Sequence, residues 1–402
     1  MKKVVIVGGG QAAASLAAKL RSEKFEGSIV MVCKEAHPPY QRPPLSKKYL
    51  LGEISLDRLY LRPLSFYEDQ RITLHLGKAV NLIDRAKKQV MFGGDSLEYD
   101  DLVLALGSEP RRLPEKIGGQ LGKVFTVRDL ADVNAIAPEF GERKRVLIIG
   151  GGYIGLEAAA VATQRGLNVT LVEMANRILQ RVAAPQTSDY FRTLHASHGV
   201  EIKEGVSLVK LTGNDGAVSG AELSDGTMLE IDFAIVGVGI FPVTDIAADA
   251  GLSISDGITV NAIGQTSDPS IWAVGDCCSF PYKTGELRLE SVPHAIDQAE
   301  SVAQNIMGAK VDYVPKPWFW SDQYDVKLQI TGLNSGFDEV ITRLTDENSV
   351  SFWYYKANHL IAVDAMNDPR AYMVAKRLIE AGKTADASIV ADPKADLRGL
   401  LQ

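Results

Sequence analysis

Cysteine is scarce: Cys33, Cys277 and Cys278 are the only three in 402 residues. None forms a C-x-x-C pair, so a dithiol redox centre and a disulphide framework are both excluded. Three thiols, two of them adjacent, also cannot build a four-thiolate iron–sulfur site. So low a count suits a reduced, cytoplasmic setting. Long apolar runs are missing as well. None approaches the ~18 apolar residues of a membrane helix. The apolar start Val4–Val7 stops at Gly8, too soon for the core of a signal peptide. Positive charge is in deficit, with 43 Lys and Arg against 50 Asp and Glu and a formal net charge of −7. That argues against nucleic acid as a partner, because phosphate contacts need a basic face.

Glycine, in contrast, is placed in two telling clusters. Val4-Val5-Ile6-Val7 runs into Gly8-Gly9-Gly10-Gln11-Ala12-Ala13, and Val146-Leu147-Ile148-Ile149 runs into Gly150-Gly151-Gly152-Tyr153-Ile154-Gly155. Each is an apolar strand, a glycine turn and an Ala-rich helical stretch, the context in which a dinucleotide fingerprint carries meaning. The first Gly (Gly8, Gly150) allows the tight turn and the second (Gly10, Gly152) lets backbone approach a pyrophosphate. The third position (Ala13, Gly155) must be small so that helix packs on strand. The helix N-terminus then faces the phosphates. Two such units imply two dinucleotides and electron traffic between them.

A chain of this length exceeds one core, so two or three domains are expected. The expected fold is α/β, with two Rossmann-like dinucleotide-binding domains and a small α+β C-terminal domain. Apolar strands closed by Gly are expected at Asp101–Gly107, Phe233–Gly239 and Ile271–Asp276, with a helix from Pro293 to Met307. Proline-marked crossings at Pro110 and Pro242 suggest that the first domain is split. The expected boundaries are 1–109 with 242–317, 110–241, and 318–402. In the last, Lys327–Ile330, Glu339–Thr342, Val350–Tyr354 and Leu360–Val363 read as strands and Ala371–Ala381 as a helix. A carboxylate after the second strand of each unit is expected to reach a ribose. Glu173 fills that place in the second unit, about 20 residues past the glycines, and favours NADH by accepting from a 2′-OH and repelling a 2′-phosphate. Arg177 and Arg181 follow and could soften the preference. Glu35, after Lys34, is the corresponding residue in the first unit. The bland alternative for Glu173, a solvated strand-end residue, is weaker than the ribose role.

The stretch Pro39-Tyr40-Gln41-Arg42-Pro43-Pro44-Leu45-Ser46-Lys47 resembles the signature of oxygenase-coupled, NADH-dependent ferredoxin reductases, FAD proteins of the glutathione-reductase fold. The likeness runs nearly end to end. It takes in Val127–Leu130, Gly150–Glu157, Thr266–Pro269, Gly275-Asp276, Glu290–Pro293 and Pro317-Trp318-Phe319-Trp320-Ser321-Asp322-Gln323, the last similar to the branch serving cytochrome P450 systems. The resemblance implies FAD in the first unit, held by Gly8, Gly10, Ala12, Ala13, Lys34, Glu35, Arg42, Lys47, Val80, Ala105, Arg128, Asp276 and Val292. It implies NADH in the second, held by Gly150, Gly152, Tyr153, Ile154, Gly155, Glu173, Arg181 and Gly239. Hydride transfer from nicotinamide C4 to flavin N5 needs no side chain to move a proton, so the protein supplies stacking and electrostatics.

The implied catalytic set is Lys47, Glu157 and Trp320. Lys47 and Glu157 resemble the Lys–Glu pair beside N5 and are expected to be close, since a buried charge left alone is costly. The positive end of a helix starting near Ser291-Val292-Pro293 would favour the reduced flavin anion. Trp318, two residues from Trp320 and on the same face of a strand, reads equally well as core. Departures from the family pattern are Ala13 for Gly, Lys34 for Asp, Leu106 for Thr and His294 for Asn.

The implied partner is a [2Fe–2S] ferredoxin, with a P450 or other oxygenase beyond it and no membrane. Arg62 matches a docking position; Arg288 and Lys316 read better as surface charges without a role. His37, His195, His198 and His359 show no ligand spacing and read as surface or core. Two alternatives remain open at this point. One is an NADH oxidase or other flavin oxidoreductase, though the stretch Arg42–Lys47 has no sulfur. The other is an apoptosis-inducing-factor-like flavoprotein with a binding role. A membrane-bound quinone reductase fits poorly with charged residues such as Lys383, Asp386, Asp392, Lys394 and Asp396 near the C-terminus.

Overall fold

A computed structural model describes residues 1–283 and 285–401. The chain divides into two compact units. One comprises Met1–Arg42, Ile54–Glu109 and Ile240–Pro317, the other Pro43–Glu53, Pro110–Gly239 and Trp318–Gln402.

In the first unit, strands Ile271–Ala273, Asp101–Leu104, Lys3–Val7, Ser28–Val32 and Ile72–His75 lie side by side in that order, all parallel. The fingerprint strand is central, and its side chains alternate between two cores. Val4 and Ile6 pack with Leu16 and Leu20 of the helix Gln11–Ser22 and with Val302 of the helix Val292–Ile306. Val5 and Val7 pack with Ile83, Val90 and Phe92 of an antiparallel meander, Val80–Asp84, Gln89–Phe92 and Asp95–Glu98. A parallel strand covered on both faces has to be apolar at successive positions, which is why this run shows no polar alternation.

The second unit repeats the plan. Strands Glu201–Glu204, Asn168–Glu173, Arg145–Ile149, Phe233–Val236 and Val124–Phe125 form a parallel sheet in that order. Val146 and Ile148 face one core, Leu147 and Ile149 another. The same unit carries an antiparallel five-stranded sheet, in the order Trp318–Gln323, Val326–Gly332, His359–Met366, Ser349–Lys356 and Glu339–Asp346. One face of that sheet (Leu328, Phe352, Tyr354, Met366) joins the core of Leu156 and Phe191. The other (Trp353, Tyr355, Val363, Ala365) is covered by Ala371, Val374, Ala375 and Leu378 of the helix Pro369–Glu380.

Three expected strands are shorter than their apolar runs. Asp101–Leu104 stops before Gly107, and Phe233–Val236 stops where the Gly237 N–H bonds back to the Ile149 carbonyl. Ile271–Ala273 ends because Gly275, at φ +77°, opens a short 3-10 turn. The helix Val292–Ile306 is capped by the Ser291 side chain, which accepts from the His294 N–H. No helix among the described residues is long and apolar enough to cross a membrane.

One charge in the antiparallel sheet has a measurable consequence. Asp364 is wholly buried, and its Oδ2 accepts from the Tyr354 hydroxyl and from Thr187 Oγ1 at 2.7 Å. Burial pushes its carboxyl up to about 6 in spite of those bonds, from an ordinary 3.8. A group raised on folding withholds stability as it ionises. The penalty is absent below about pH 4, where both states are protonated, and complete above about pH 6. Asp364→Asn is therefore expected to gain on the parent by roughly 3 kcal/mol between about pH 4 and pH 7, at about 1.4 kcal/mol per pKa unit. Urea unfolding of both proteins at the two pH values checks this, and a difference independent of pH would contradict it.

Candidate functional site

The two glycine turns separate glycines that the fold demands from glycines that it does not. Gly8 has φ +137°, and a Cβ there would stand 2.2 Å from the Ala105 carbonyl oxygen. Gly150 has φ +109°, with a Cβ 2.4 Å from the Gly237 oxygen. A Cβ on Gly155 would meet the Gly150 oxygen at 2.0 Å, whereas Ala13, its counterpart, is accommodated with no exposed surface. These positions admit nothing larger. Gly10 and Gly152 are different. Both have ordinary extended backbone (φ −95° and −81°), and nothing lies within 4 Å of where a Cβ would be. Each is the N-cap of its fingerprint helix, Gln11–Ser22 and Tyr153–Gln164, and neither contributes a side-chain cap. The first N–H groups of each helix therefore lack a side-chain cap at the N-cap residue. A pyrophosphate fits that pair of features, since it needs close backbone approach and unpaired donors.

In the first unit the Glu35 carboxylate accepts from the Tyr40 hydroxyl and from the Arg42 guanidinium, whose carbon lies 5.1 Å from the Tyr40 ring centroid. Lys34 pairs with Glu109 at 3.0 Å on the surface. Asp276, in the turn after Ile271–Ala273, accepts from Ser108 Oγ at 2.9 Å. Val80 opens the meander and Ala105 closes against Gly8. Val292 begins its helix, and the buried His294 Nδ1 meets the Tyr313 hydroxyl at 2.9 Å. Ala12 is buried in the fingerprint helix. Arg62 is exposed, over the Phe66 ring at 5.4 Å. Arg288 is held by Asp256 (3.3 Å) and Glu290 (2.5 Å), and Lys316 is exposed.

In the second unit Glu173 ends its strand with both oxygens engaged, one accepting from the Gly151 N–H and one from the Ala175 N–H, each at 2.7 Å. This braces the carboxylate against the glycine turn and leaves each oxygen a lone pair for a further donor. Arg177 is committed to Ser188 Oγ and the Ala183 carbonyl, but Arg181 is exposed near Gly239, so the softening of preference expected of both rests on Arg181. Tyr153 packs on Phe319 with centroids 5.1 Å apart, and Ile154 is exposed. The Arg128 N–H donates to Asp132.

The same unit holds Lys47, Glu157 and Trp320. Lys47 lies in a tight turn, Leu45–Tyr49, where its own backbone is non-helical (φ −130°, ψ −112°). The segment is tied down by Tyr49 to Asn134 and by Arg165 to the Leu51 carbonyl. Glu157 lies one turn into the fingerprint helix, buried among Leu156, Ala158 and Ala160. Lys47 Nζ is 2.9 Å from Glu157 Oε1, and the Ser321 hydroxyl donates to the same oxygen at 2.7 Å. Burial pushes the Glu157 carboxyl above its usual range, Asp322 adds to that, and Lys47 and Ser321 pull it back. Breaking such a pair from one side costs on the order of 3–5 kcal/mol, because the other charge is left buried. Trp320, half-buried, faces Trp318 with centroids 5.6 Å apart, and Lys376 lies over the Trp318 ring at 4.9 Å.

Ser321, Gln323 and His195 were not singled out by sequence reasoning; His195 was set aside as surface or core. The signal was present in the strand Trp318–Gln323, where the inward positions 321 and 323 are polar and fully buried. The thiols bear no chemistry. Burial raises Cys33 to about 12 and Cys277 to about 11, and lifts Cys278 as well. Among the described residues no cluster of His, Cys, Asp and Glu is arranged to hold a metal ion.

A sequence profile of the pyridine nucleotide-disulphide oxidoreductase family matches residues 2–299, and a reductase C-terminal profile matches 318–401. A ferredoxin–NAD(P)(+) reductase from a Sphingomonas species is 42% identical, covering 99% of this chain and 97% of that protein. Putidaredoxin reductase from Pseudomonas putida is 37% identical over 99% of this chain and 96% of its own length. Such a reductase, solved in covalent complex with putidaredoxin, superposes with a TM-score of 0.96 over 100% of this chain and 98% of that one. The ferredoxin reductase of the CYP199A2 system from Rhodopseudomonas palustris superposes equally well (0.96), at 38% identity and full coverage of both chains.

Because Gly10 and Gly152 have room for a methyl group in the free protein, alanine at either position is expected to fold with a Tm within a few degrees of the parent. Gly10→Ala should retain less than about a tenth of the parent's flavin, and Gly152→Ala should keep its flavin while binding NADH about tenfold or more weakly, since the methyl stands where phosphate must approach. Absorbance of the purified proteins and NADH titration check both. Full dinucleotide binding by either variant would contradict the assignment of its turn.

Proposed function

Since the chain belongs to the pyridine nucleotide-disulphide oxidoreductase family, we propose that it is an NADH-dependent, FAD-containing ferredoxin reductase whose acceptor is a [2Fe–2S] ferredoxin serving a cytochrome P450 or another oxygenase. The P450 link is supported by the relative that works in the CYP199A2 system, and the ferredoxin by the relative captured with putidaredoxin. FAD, when bound, accepts a hydride from NADH and gives up electrons one at a time. Everything else is done by side chains and backbone. The turns at Gly8–Gly10 and Gly150–Gly152 hold the pyrophosphates on helix N-termini. Glu173, fixed by two backbone N–H groups, accepts from a ribose 2′-OH and repels a 2′-phosphate. Glu157 keeps the Lys47 ammonium in one place beside the reacting rings. Asp276, oriented by Ser108, binds the ribityl chain. Trp320 gives an aromatic wall that excludes water, and exposed Arg62 offers a cation to an acidic ferredoxin. A cytoplasmic location agrees with three free thiols.

The observation that carries this reading is the state of those thiols. In a family named for disulphide chemistry, all three cysteines are buried and held protonated. Electrons entering at the nicotinamide have no disulphide to reduce and must leave for another molecule.

Anaerobic mixing with NADH should bleach the flavin within seconds, and cytochrome c reduction should then depend on added [2Fe–2S] ferredoxin. Bleaching without ferredoxin-dependent turnover would overturn the reading in favour of an oxidase, and bleaching over minutes would favour a binding role. Lys47→Met is expected to slow bleaching about tenfold or more while FAD stays bound, the scale seen when a preorganised charge is removed. An unchanged rate would remove Lys47 from the site. Glu173→Ala should raise the KM for NADH about tenfold or more and leave that for NADPH level or lower, and equal losses for both would contradict the ribose assignment.

A further inference from the structure

Beyond the Lys47–Glu157 pair, the second unit contains a continuous hydrogen-bonded chain that the proposed chemistry does not use. Ser321 Oγ lies 2.7 Å from Glu157 Oε1, Gln323 Nε2 lies 3.1 Å from Ser321 Oγ, and His195 Nε2 lies 2.7 Å from Gln323 Oε1. The Tyr324 hydroxyl lies 3.2 Å from His195 Nδ1 at the far end, where its ring stacks on exposed His198. Ser321, Gln323 and His195 are each fully buried, so no water replaces a missing partner.

The direction of each bond as far as His195 is set from one end. Lys47 Nζ is 2.9 Å from Glu157 Oε1, and an ammonium has hydrogens to give and no lone pair to accept with. Oε1 therefore carries no proton, and Ser321 must donate to it. With its hydrogen spent, Ser321 Oγ accepts from the Gln323 amide nitrogen. That leaves the Gln323 oxygen toward His195, so His195 Nε2 must bear the hydrogen and Nδ1 is an acceptor facing the Tyr324 hydroxyl, which also lies 3.1 Å from Thr163 Oγ1. Burial lowers the His195 imidazole to about 4, consistent with a neutral ring.

We propose that Ser321, Gln323 and His195 are positioning residues, a buried donor chain that holds the Glu157 carboxylate turned toward Lys47 and whose polarity Lys47 itself sets. The chain is a brace and not a proton wire, because an amide cannot hand on a proton without passing through its imidic form. It rests on the reading of Lys47 as the cation beside the reacting rings, yet its test does not need turnover.

In the intact chain labelled with ¹⁵N-histidine, with and without FAD, His195 is expected to show a protonated Nε2 and an unprotonated Nδ1. The opposite tautomer, or a cation at neutral pH, would overturn the chain. Ser321→Ala removes one hydrogen bond to a charged oxygen. It is expected to lower the acid dissociation constant of Glu157 about tenfold, read by ¹³C-carboxyl titration, and to slow flavin bleaching by NADH about threefold to tenfold. A folded Ser321→Ala protein with both quantities unchanged would also overturn it, and if that variant does not fold, the tautomer of the parent decides. Ferredoxin reduction by the parent is a separate readout. Its failure alongside the expected tautomer would sink the functional reading and leave the chain standing.

Discussion

A carboxylate inside an apolar helix is the constraint around which the second unit is arranged. Glu157 sits among alanines and a leucine that pack the fingerprint helix on its sheet. Such a charge costs several kcal/mol unless it is paired and hydrogen-bonded. The fold answers with three separate stretches of chain. The turn Leu45–Tyr49 brings the Lys47 ammonium, the strand Trp318–Gln323 brings the Ser321 hydroxyl, and the helix Pro185–Ser197 brings His195 behind Gln323. Apolar side chains in place of the whole pair would relieve that expense, whereas replacing Glu157 alone would strand Lys47. The charge therefore has a use other than stability, and fixing a lysine is what its geometry does.

The glycines make the same separation between fold and function in a different way. Gly8, Gly150 and Gly155 stand where any Cβ would strike backbone oxygen, so the turns alone explain them. Gly10 and Gly152 stand in extended backbone with open space around them, and the fold places no demand on them. Only something that comes close from outside accounts for glycine there. Two backbone cradles, each at the start of a helix without a side-chain cap, fit a phosphate on grounds that a motif match alone does not supply.

Local features were legible in the sequence. The fingerprints, the parallel-sheet strands without alternation, the helix after Ser291 and the strands of the C-terminal sheet each announce themselves within a dozen residues, because strand, turn and cap chemistry are local. The Lys47–Glu157 pair was reachable through family resemblance and the cost of burying a charge, not through spacing. The polar inward positions 321 and 323 were visible in the strand's alternation, but their link to His195 was not. The members of that hydrogen-bonded chain come from positions 157, 195 and 321–323, and nothing in the pattern around His195 shows that it points at Gln323. The commitments of Arg177 to Ser188 and of Arg288 to Asp256 and Glu290 were hidden for the same reason, since they depend on which segments fold together. Strand ends were misjudged where an apolar run continues past the last ladder bond, as at Val236.

The thiols show how one fold accommodates a change of electron acceptor. Cys33 lies under Gly9, its sulfur 3.1 Å from where a Cβ would stand, and so fills the floor of the first turn. Cys277 and Cys278 donate weakly to the Leu104 and Gly275 carbonyls beside the Asp276 turn. All three are small apolar packing residues here, and burial keeps each in the unreactive protonated form. Cys33 supports the first glycine turn by packing and by a weak bond to the Gly8 carbonyl, and no redox chemistry of sulfur enters into that role. Because the features that hold dinucleotides, which are backbone turns, helix ends and strand-end carboxylates, need no sulfur redox chemistry, a disulphide reductase and a ferredoxin reductase can share them entirely. What differs is the presence of a redox-active disulphide. Such a disulphide takes electrons into the protein itself. A lysine paired with a buried glutamate, as Lys47 is with Glu157, can take none.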